Sequence, residues 1–395
     1  DEVFNLLLVI LLSIVFIIEI FMPYFVYLIA PGFYANQEKF NLVINLSRIT
    51  FPFLLFVSLS SFFAAILNSN NRFAAGAAAP IILNIFLILS LFISYLLNLE
   101  FVTNLSYAVT VAGFFQLLFL IFFSKKFYYP SIKFKAIISP KVKFFLKKLL
   151  PSIFSSGITQ VNIFIGTIIA SFEAGAVSYL YYADRIYQIN LAIAGIAVGT
   201  VALPELAKKL KLGKVDDVID VQNKSIELSL LLSIPAFFGL IIASEEITSA
   251  LFGYGSFSQA DVNSTAIALK YFGYGVPGFA LIKVLSNFFF ARDNTKLPFY
   301  ISIFSVALNV SISLLFFQKV GFVIIPLATS IATWAAVLVY VILLVKYEFF
   351  KVKKTLVISF IKIIISALIM VTGLYLSINF FEDKLIYSNY YKSFY

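Results

Sequence analysis

Long apolar runs broken by short polar and often basic segments recur along the whole chain. A helix of roughly 20 apolar residues crosses the ~30 Å hydrocarbon core of a bilayer. About eleven stretches reach that length: 3–29, 42–67, 77–97, 104–124, 151–171, 174–202, 219–243, 262–290, 298–317, 320–345 and 356–379. The pattern predicts an all-α fold, a polytopic bundle of transmembrane helices.

The stretch Ala174 to Pro204 departs from uniform apolarity, because Asp184 and Arg185 lie near its middle. A charge at the centre of a lipid-facing helix costs about 2.5–3.5 kcal/mol even on insertion scales, so the pair should face protein or a water-filled cavity. On a helix Tyr181, Asp184, Arg185 and Gln188 stand at i, i+3, i+4 and i+7 and form one polar stripe. It continues through Ala192, Gly195 and Gly199, small residues that let another helix approach closely. A structural ion pair between helices is the bland alternative.

Composition agrees with the hydropathy pattern: 62% of residues are hydrophobic and 12% charged, with a mean hydropathy of +1.00, far from a soluble domain. The chain has no cysteine and no histidine, so thiol nucleophiles, thiolate or imidazole metal sites and His general bases are excluded. The net charge of +10 is not read as a nucleic-acid footprint, because the basic residues sort by loop. The lysines of 125–148, 208–214 and 346–354, with Arg72, Arg292 and Lys296, fall in alternate loops, which makes those loops cytoplasmic. The other loops hold little beyond Lys39, Lys319 and Lys384. Span 3–29 then runs outward and span 174–202 inward.

The first span starts almost at once after Asp1 and Glu2, and the polar, aromatic tail after Lys384 is not a further span, so an internal fragment is expected. Ser139-Pro140 reads as a helix start. Val142, Phe145, Leu146 and Leu149 share a face there while Lys141, Lys147 and Lys148 lie elsewhere, which predicts a helix on the cytoplasmic membrane surface. The expected organisation is therefore 1–124, four spans; 125–150, a basic linker with that helix; 151–345, six spans; and 346–395, an appended span and outer tail.

The two lobes repeat. Pro52 and Asn84 match Pro277 and Asn309 at a constant offset of 225, and at that offset Asn68 of an NSNNR turn meets Asp293 of an RDNTK turn. Both copies run the same way through the membrane, a parallel repeat about an axis along its normal.

The other intramembrane charges are Glu19, Arg48, Lys270 and Lys283. Snorkelling suits Arg48 and Lys270, whereas Lys283 lies deep enough to line a cavity. The basic excess suits an anionic substrate, and arginine's planar fork binds phosphate oxygens in pairs. Pro52, Pro277 and Pro326 predict kinks, with Gly273, Gly275 and Gly278 giving Pro277 flexible company. Asp216-Asp217 and Glu245-Glu246 read as solvated termini, and Gly253-Tyr254-Gly255 as a turn rather than a channel filter. No catalytic constellation emerges.

Three segments carry a resemblance: LSRITFPFLLFVSLSSFFAAILNSNNRFAAGAAAPIILN (46–84), SYLYYADRIYQINLAIAGIAVGTVALPELAK (178–208) and ALIKVLSNFFFARDNTKLP (280–298). They resemble the MurJ (MviN) family, bacterial flippases for the lipid-linked peptidoglycan precursor within the multidrug/oligosaccharidyl-lipid/polysaccharide exporter superfamily. The resemblance implies two lobes and fourteen helices, of which this chain supplies the third to the thirteenth. It implies that Asp184 and Arg185 are the essential pair of the eighth helix and that Lys283 is the lysine of the tenth. The family's arginine-rich first two helices have no counterpart here, nor does the fourteenth. Some members hold sodium with carboxylates on the seventh and eleventh helices; the matching positions are Gly166 and Ser313, with Asn309 alone retained.

The implied function is transport rather than catalysis: movement of lipid II from the inner to the outer leaflet of the bacterial cytoplasmic membrane by alternating access, by a monomer among membrane lipids, with no cofactor and an open question of ion coupling. Arg185, Asp184, Lys283, Arg48, Gln188 and Tyr181 would meet substrate, and Pro52, Pro277, Gly195 and Gly199 would serve the conformational change. The alternatives are a drug/cation antiporter or another polyprenyl-linked oligosaccharide exporter on the same fold, and a membrane enzyme acting on polyprenyl phosphates.

Overall fold

In a computed structural model of the chain, residues 1–133, 139–381 and 384–385 are described, the side chains of 141, 148–156, 158 and 159 excepted. Lys135 and the tail beyond Leu385 lie outside the described residues, as do the side chains of Lys141, Lys148 and Leu149. The described residues form helices and no strands. They fold as two compact units, Asp1–Phe154 and Ser155–Tyr395.

In the first unit α1 (Glu2–Ile20) and α2 (Met22–Ile29) share one apolar run and are followed by a 3-10 turn, Pro31–Ala35. Next come α3 (Gln37–Thr50) and α4 (Phe53–Ser69), one apolar stretch broken at Phe51-Pro52 because proline offers no N–H to continue the helix ladder. Helices α5 (Phe73–Leu97) and α6 (Phe101–Ser124) then pack along each other. Phe4, Leu8, Leu59, Phe63, Leu117 and Leu120 join α1, α4 and α6 in one core. Helix α5 instead turns Ile81, Ile85, Ile88 and Phe92 outward, an apolar surface that only lipid or protein can cover. The predicted surface helix is not separate: α7 (Pro140–Ala170) is a single helix of 31 residues that runs on into the fifth span.

In the second unit α8 (Ala176–Leu191) passes through a π-helical segment, Ala192–Ala197, into α9 (Val198–Lys211). The expected loop lysines Lys208, Lys209 and Lys211 thus sit in the last turn of a helix, where they complement its negative pole. Helix α10 (Val215–Ile242) begins with Asp216 and Asp217 and α11 (Ser244–Phe252) with Glu245 and Glu246, the opposite complement. The turn that follows needs glycine, since Gly255 has φ +62°. Then α12 (Gln259–Gly273) meets α13 (Val276–Phe290) at a 40° bend, with Pro277 in the first turn of α13. Helices α14 (Lys296–Val320) and α15 (Ile324–Lys346) follow, then α16 (Lys354–Phe380). Pro326 makes no kink: it lies in the first turn of α15, where its missing N–H has no helical partner to lose.

Eight stretches of the described residues are long and apolar enough to cross a bilayer, nine when the bent pair counts as one span. The 51-residue stretch Lys296–Lys346 would reach about 76 Å as one rod. It is instead a hairpin of α14 and α15, packed along each other and reversed at Gly321, whose φ is +77°.

The repeat recurs in the element order. A span broken at a proline, a left-handed turn and a long helix that folds back as a hairpin describe α3 to α6 and α12 to α15 alike. The turn match shifts by three residues: Asn71 (φ 58°), not Asn68, holds the position that Asp293 (φ 56°) holds, because the first copy carries more chain between its proline and its left-handed turn than the second does.

A second echo has no counterpart in the sequence pattern. Asn5 in α1 donates to Ser131 O (2.8 Å) and accepts from Lys133 N (2.6 Å). Asn223 in α10 donates to Lys351 O (2.9 Å) and accepts from Lys353 N (3.0 Å). Each amide pairs like a short strand with the extended segment that leaves its unit's hairpin. Carboxylates beside them hold the far ends, Glu2 on Ser139 and Asp220 on Lys353.

Candidate functional site

The polar residues of α8 divide between two environments. Consecutive helix positions point about 100° apart, so Asp184 and Arg185 do not pair with each other. Asp184 accepts a hydrogen bond from Gln188 one turn on. Arg185 is exposed and lays its guanidinium over the Tyr181 ring, 4.5 Å from the centroid. Its five N–H groups have no acceptor among the described residues, whose ion pairs are Lys209–Glu205 and Lys353–Asp220. Water or a ligand must satisfy them.

Asp184 and Tyr181 line a cavity of about 210 Å³ within the second unit, together with Gly166, Tyr187 and Phe272. Asn162, Asn309, Ser313 and Thr329 form its polar wall. Asn309 Nδ2 donates to Asn162 Oδ1 (2.8 Å) and to Thr329 Oγ1 (3.2 Å), and Ser313 Oγ donates to Asn309 Oδ1 (3.2 Å). Tyr187 stacks on Phe272 at 4.9 Å and forms the apolar side. The three positions the resemblance singles out, Gly166, Asn309 and Ser313, therefore meet in one place. Asn162 and Thr329 were not foreseen; a lone asparagine in the apolar run 151–171 was the available signal for the first.

Below Arg185 the small residues of the stripe admit α13. A Cβ on Gly195 would lie 3.1 Å from Ala280 Cα and 3.3 Å from Lys283 Cγ, and one on Gly199 3.0 Å from Asn287 Nδ2. Asn287, also unforeseen, donates to Gly199 O at 2.7 Å just past the π-helical segment. Lys283 is exposed beside Gly195, ten residues past Arg185, or about 15 Å along the axis. Arg185, Gln188 and Lys283 thus mark one face of the second unit, which the cost of charge in hydrocarbon turns away from lipid. Lys270 is exposed in the last turn of α12. In the first unit Arg48, in the last turn of α3, lies within electrostatic reach of Glu19, and Pro52 stands at the α3–α4 break.

The "Lipid II flippase MurJ" family model matches residues 1–394. Among curated relatives, a probable lipid II flippase MurJ of Rickettsia prowazekii is 40% identical over 338 residues, 84% of this chain and 66% of its own length. That of Rhizobium tropici is 38% identical over 346 residues, 85% of this chain and 63% of its own. The chain thus spans about two thirds of the length of these relatives. A solved "Lipid II flippase MurJ, inward closed conformation" superposes with a TM-score of 0.82 at 27% identity, covering 95% of this chain and 77% of that one. An inward-facing multidrug resistance MATE family transporter of the MOP superfamily gives 0.69 at 15% identity, over 85% of this chain and 78% of that one, a likeness of fold alone. On this sequence and structural evidence the chain belongs to the lipid II flippase MurJ family, as a multi-pass protein of the bacterial inner membrane.

Proposed function

We propose that the protein moves lipid II, the undecaprenyl-pyrophosphate-linked peptidoglycan precursor, from the inner to the outer leaflet by alternating access, as a monomeric carrier that makes and breaks no covalent bond. The observation that carries this reading is Arg185: a guanidinium at mid-span, with its donors free and its plane steadied by Tyr181. Such a fork takes phosphate oxygens two at a time. Lys283 adds a second cation about 15 Å along the same face, and Arg48 a third in the other unit. Asp184 and Gln188 hold each other and fix the rotamers beside the fork. The helix breaks at Pro52 and Pro277 and the close approach at Gly195 and Gly199 supply the places where helices bend or slide between states.

Hydrogen bonds to a charged group contribute about 1.5–3 kcal/mol each. Arg185→Ala should therefore lower transport at least tenfold and abolish rescue of a strain depleted of its flippase. Arg185→Lys keeps the charge without the fork and should rescue in part. Unimpaired growth of the alanine variant at normal expression would remove Arg185 from the site. Vesicles that couple drug efflux to a cation and translocate no lipid II would instead favour a drug exporter on this fold.

A further inference from the structure

The cavity of the second unit lies where the resemblance places sodium, and its donor set does not suit that ion. A hard cation needs several converging oxygen lone pairs, with anionic ligands to offset its dehydration. Here Gly166 brings no side chain, and Ser313 stands where a carboxylate would. Three oxygens of the wall each already accept a hydrogen bond: Asn162 Oδ1 from Asn309, Asn309 Oδ1 from Ser313, and Ile325 O from the Thr329 hydroxyl at 2.7 Å. Both protons of the Asn309 amide are spent on oxygens of the same wall, so a donor group occupies the middle of the cluster. The one carboxylate in the lining, Asp184, is held by Gln188. Among the described residues no three acidic side chains gather as a metal-binding group.

We propose that this cavity binds no sodium, and that its amide–hydroxyl network replaces the ion as the crosslink joining α7, α14 and α15. Asn162 belongs to α7, Asn309 and Ser313 to α14, and Thr329 to α15, so the bonds tie the two helices on which the resemblance places the carboxylates, α7 and α14, and bring in α15 as well. The crosslink is then permanent rather than dependent on an ion gradient. This inference does not rest on what the protein carries.

The test is thermal unfolding of the purified protein in sodium, potassium and choline chloride at equal ionic strength. The expected result is one midpoint in all three salts, and an Asn309→Ala variant whose midpoint falls equally in each. A saturable sodium-specific rise of about 2 °C or more in the unaltered protein, lost in Asn309→Ala, would overturn the proposal. Ser313→Asp restores the missing charge and should acquire a sodium-specific rise. A folded Ser313→Asp that ignores sodium would overturn the claim that the missing carboxylate is what excludes the ion. If that variant does not fold, the salt comparison on the unaltered protein and Asn309→Ala still decides.

Discussion

Gly195→Ala isolates the contact that lets α13 approach the π-helical segment. The added methyl would meet three atoms at once: Ala280 Cα at 3.1 Å, Leu191 Cδ1 at 3.2 Å and Lys283 Cγ at 3.3 Å. Two of these are side-chain atoms that can swing aside. Ala280 Cα is backbone of a buried helical residue with no exposed surface, so relief there means displacing α13 itself. Overpacking of this kind costs about 1–3 kcal/mol, against a gain of up to about 1 kcal/mol for replacing glycine inside a helix. The propensity gain is removed by comparison with Gly373→Ala in α16, where a new Cβ meets nothing within 4 Å. Thermal unfolding in detergent should place the Gly195 variant below the Gly373 variant by the full overpacking cost, about 1–4 °C for a chain of this size. Equal midpoints would refute the argument that the α13 contact needs a glycine. Because the chain has no cysteine, single cysteines placed along α13 can report in the same variants whether its accessibility has shifted.

The other expectations are simpler. Asn223→Ala removes both bonds to the segment after α15; at about 0.5–1.5 kcal/mol per bond it should lower stability by about 1–3 kcal/mol. It should also speed hydrogen exchange at the Lys353 amide, and unchanged exchange there would dismiss the clamp. Asn5→Ala should do the same at Lys133. Burial holds the Glu246 carboxyl above its ordinary range, Glu245 adding to the effect and its own backbone N–H opposing it. A carboxyl raised on folding gives its stability in full below the unfolded pKa of about 4.3 and loses it as pH rises through the folded value. Glu246→Gln should therefore raise the unfolding midpoint at neutral pH and not at pH near 4, and a gain of equal size at both would contradict that sign.

The spans were legible because burying apolar residues in lipid leaves a run-length signal that survives without any partner. The breaks at Pro52 and Pro277 were legible because proline acts on its own helix. Pro326 misled, since its effect depends on where the helix begins, and the hairpin reversal at Gly321 set that start. The stripe of α8 was readable as a periodicity but not in its division: which way Asp184 and Arg185 turn depends on Gln188, on Tyr181 and on the cavity wall. Asn5, Asn223, Asn287 and Asn162 escaped notice because an isolated amide in an apolar run names no partner; its meaning comes from backbone atoms or side chains 88 to 147 residues away. The π-helical segment left no mark, small apolar residues being equally at home in an α-helix.

The pinning of the first unit's outgoing segment changes what kind of connector the chain possesses. Ser131 and Lys133 are tied to Asn5, and Ser139 is tied to Glu2, so both ends of the stretch before α7 are fastened to α1. The next element is α7, 31 residues long, whose last turns form part of the wall of the second unit's cavity at Asn162, Gly166 and Ala170. A chain fastened to α1 at Ser139 enters α7 with its starting point already set.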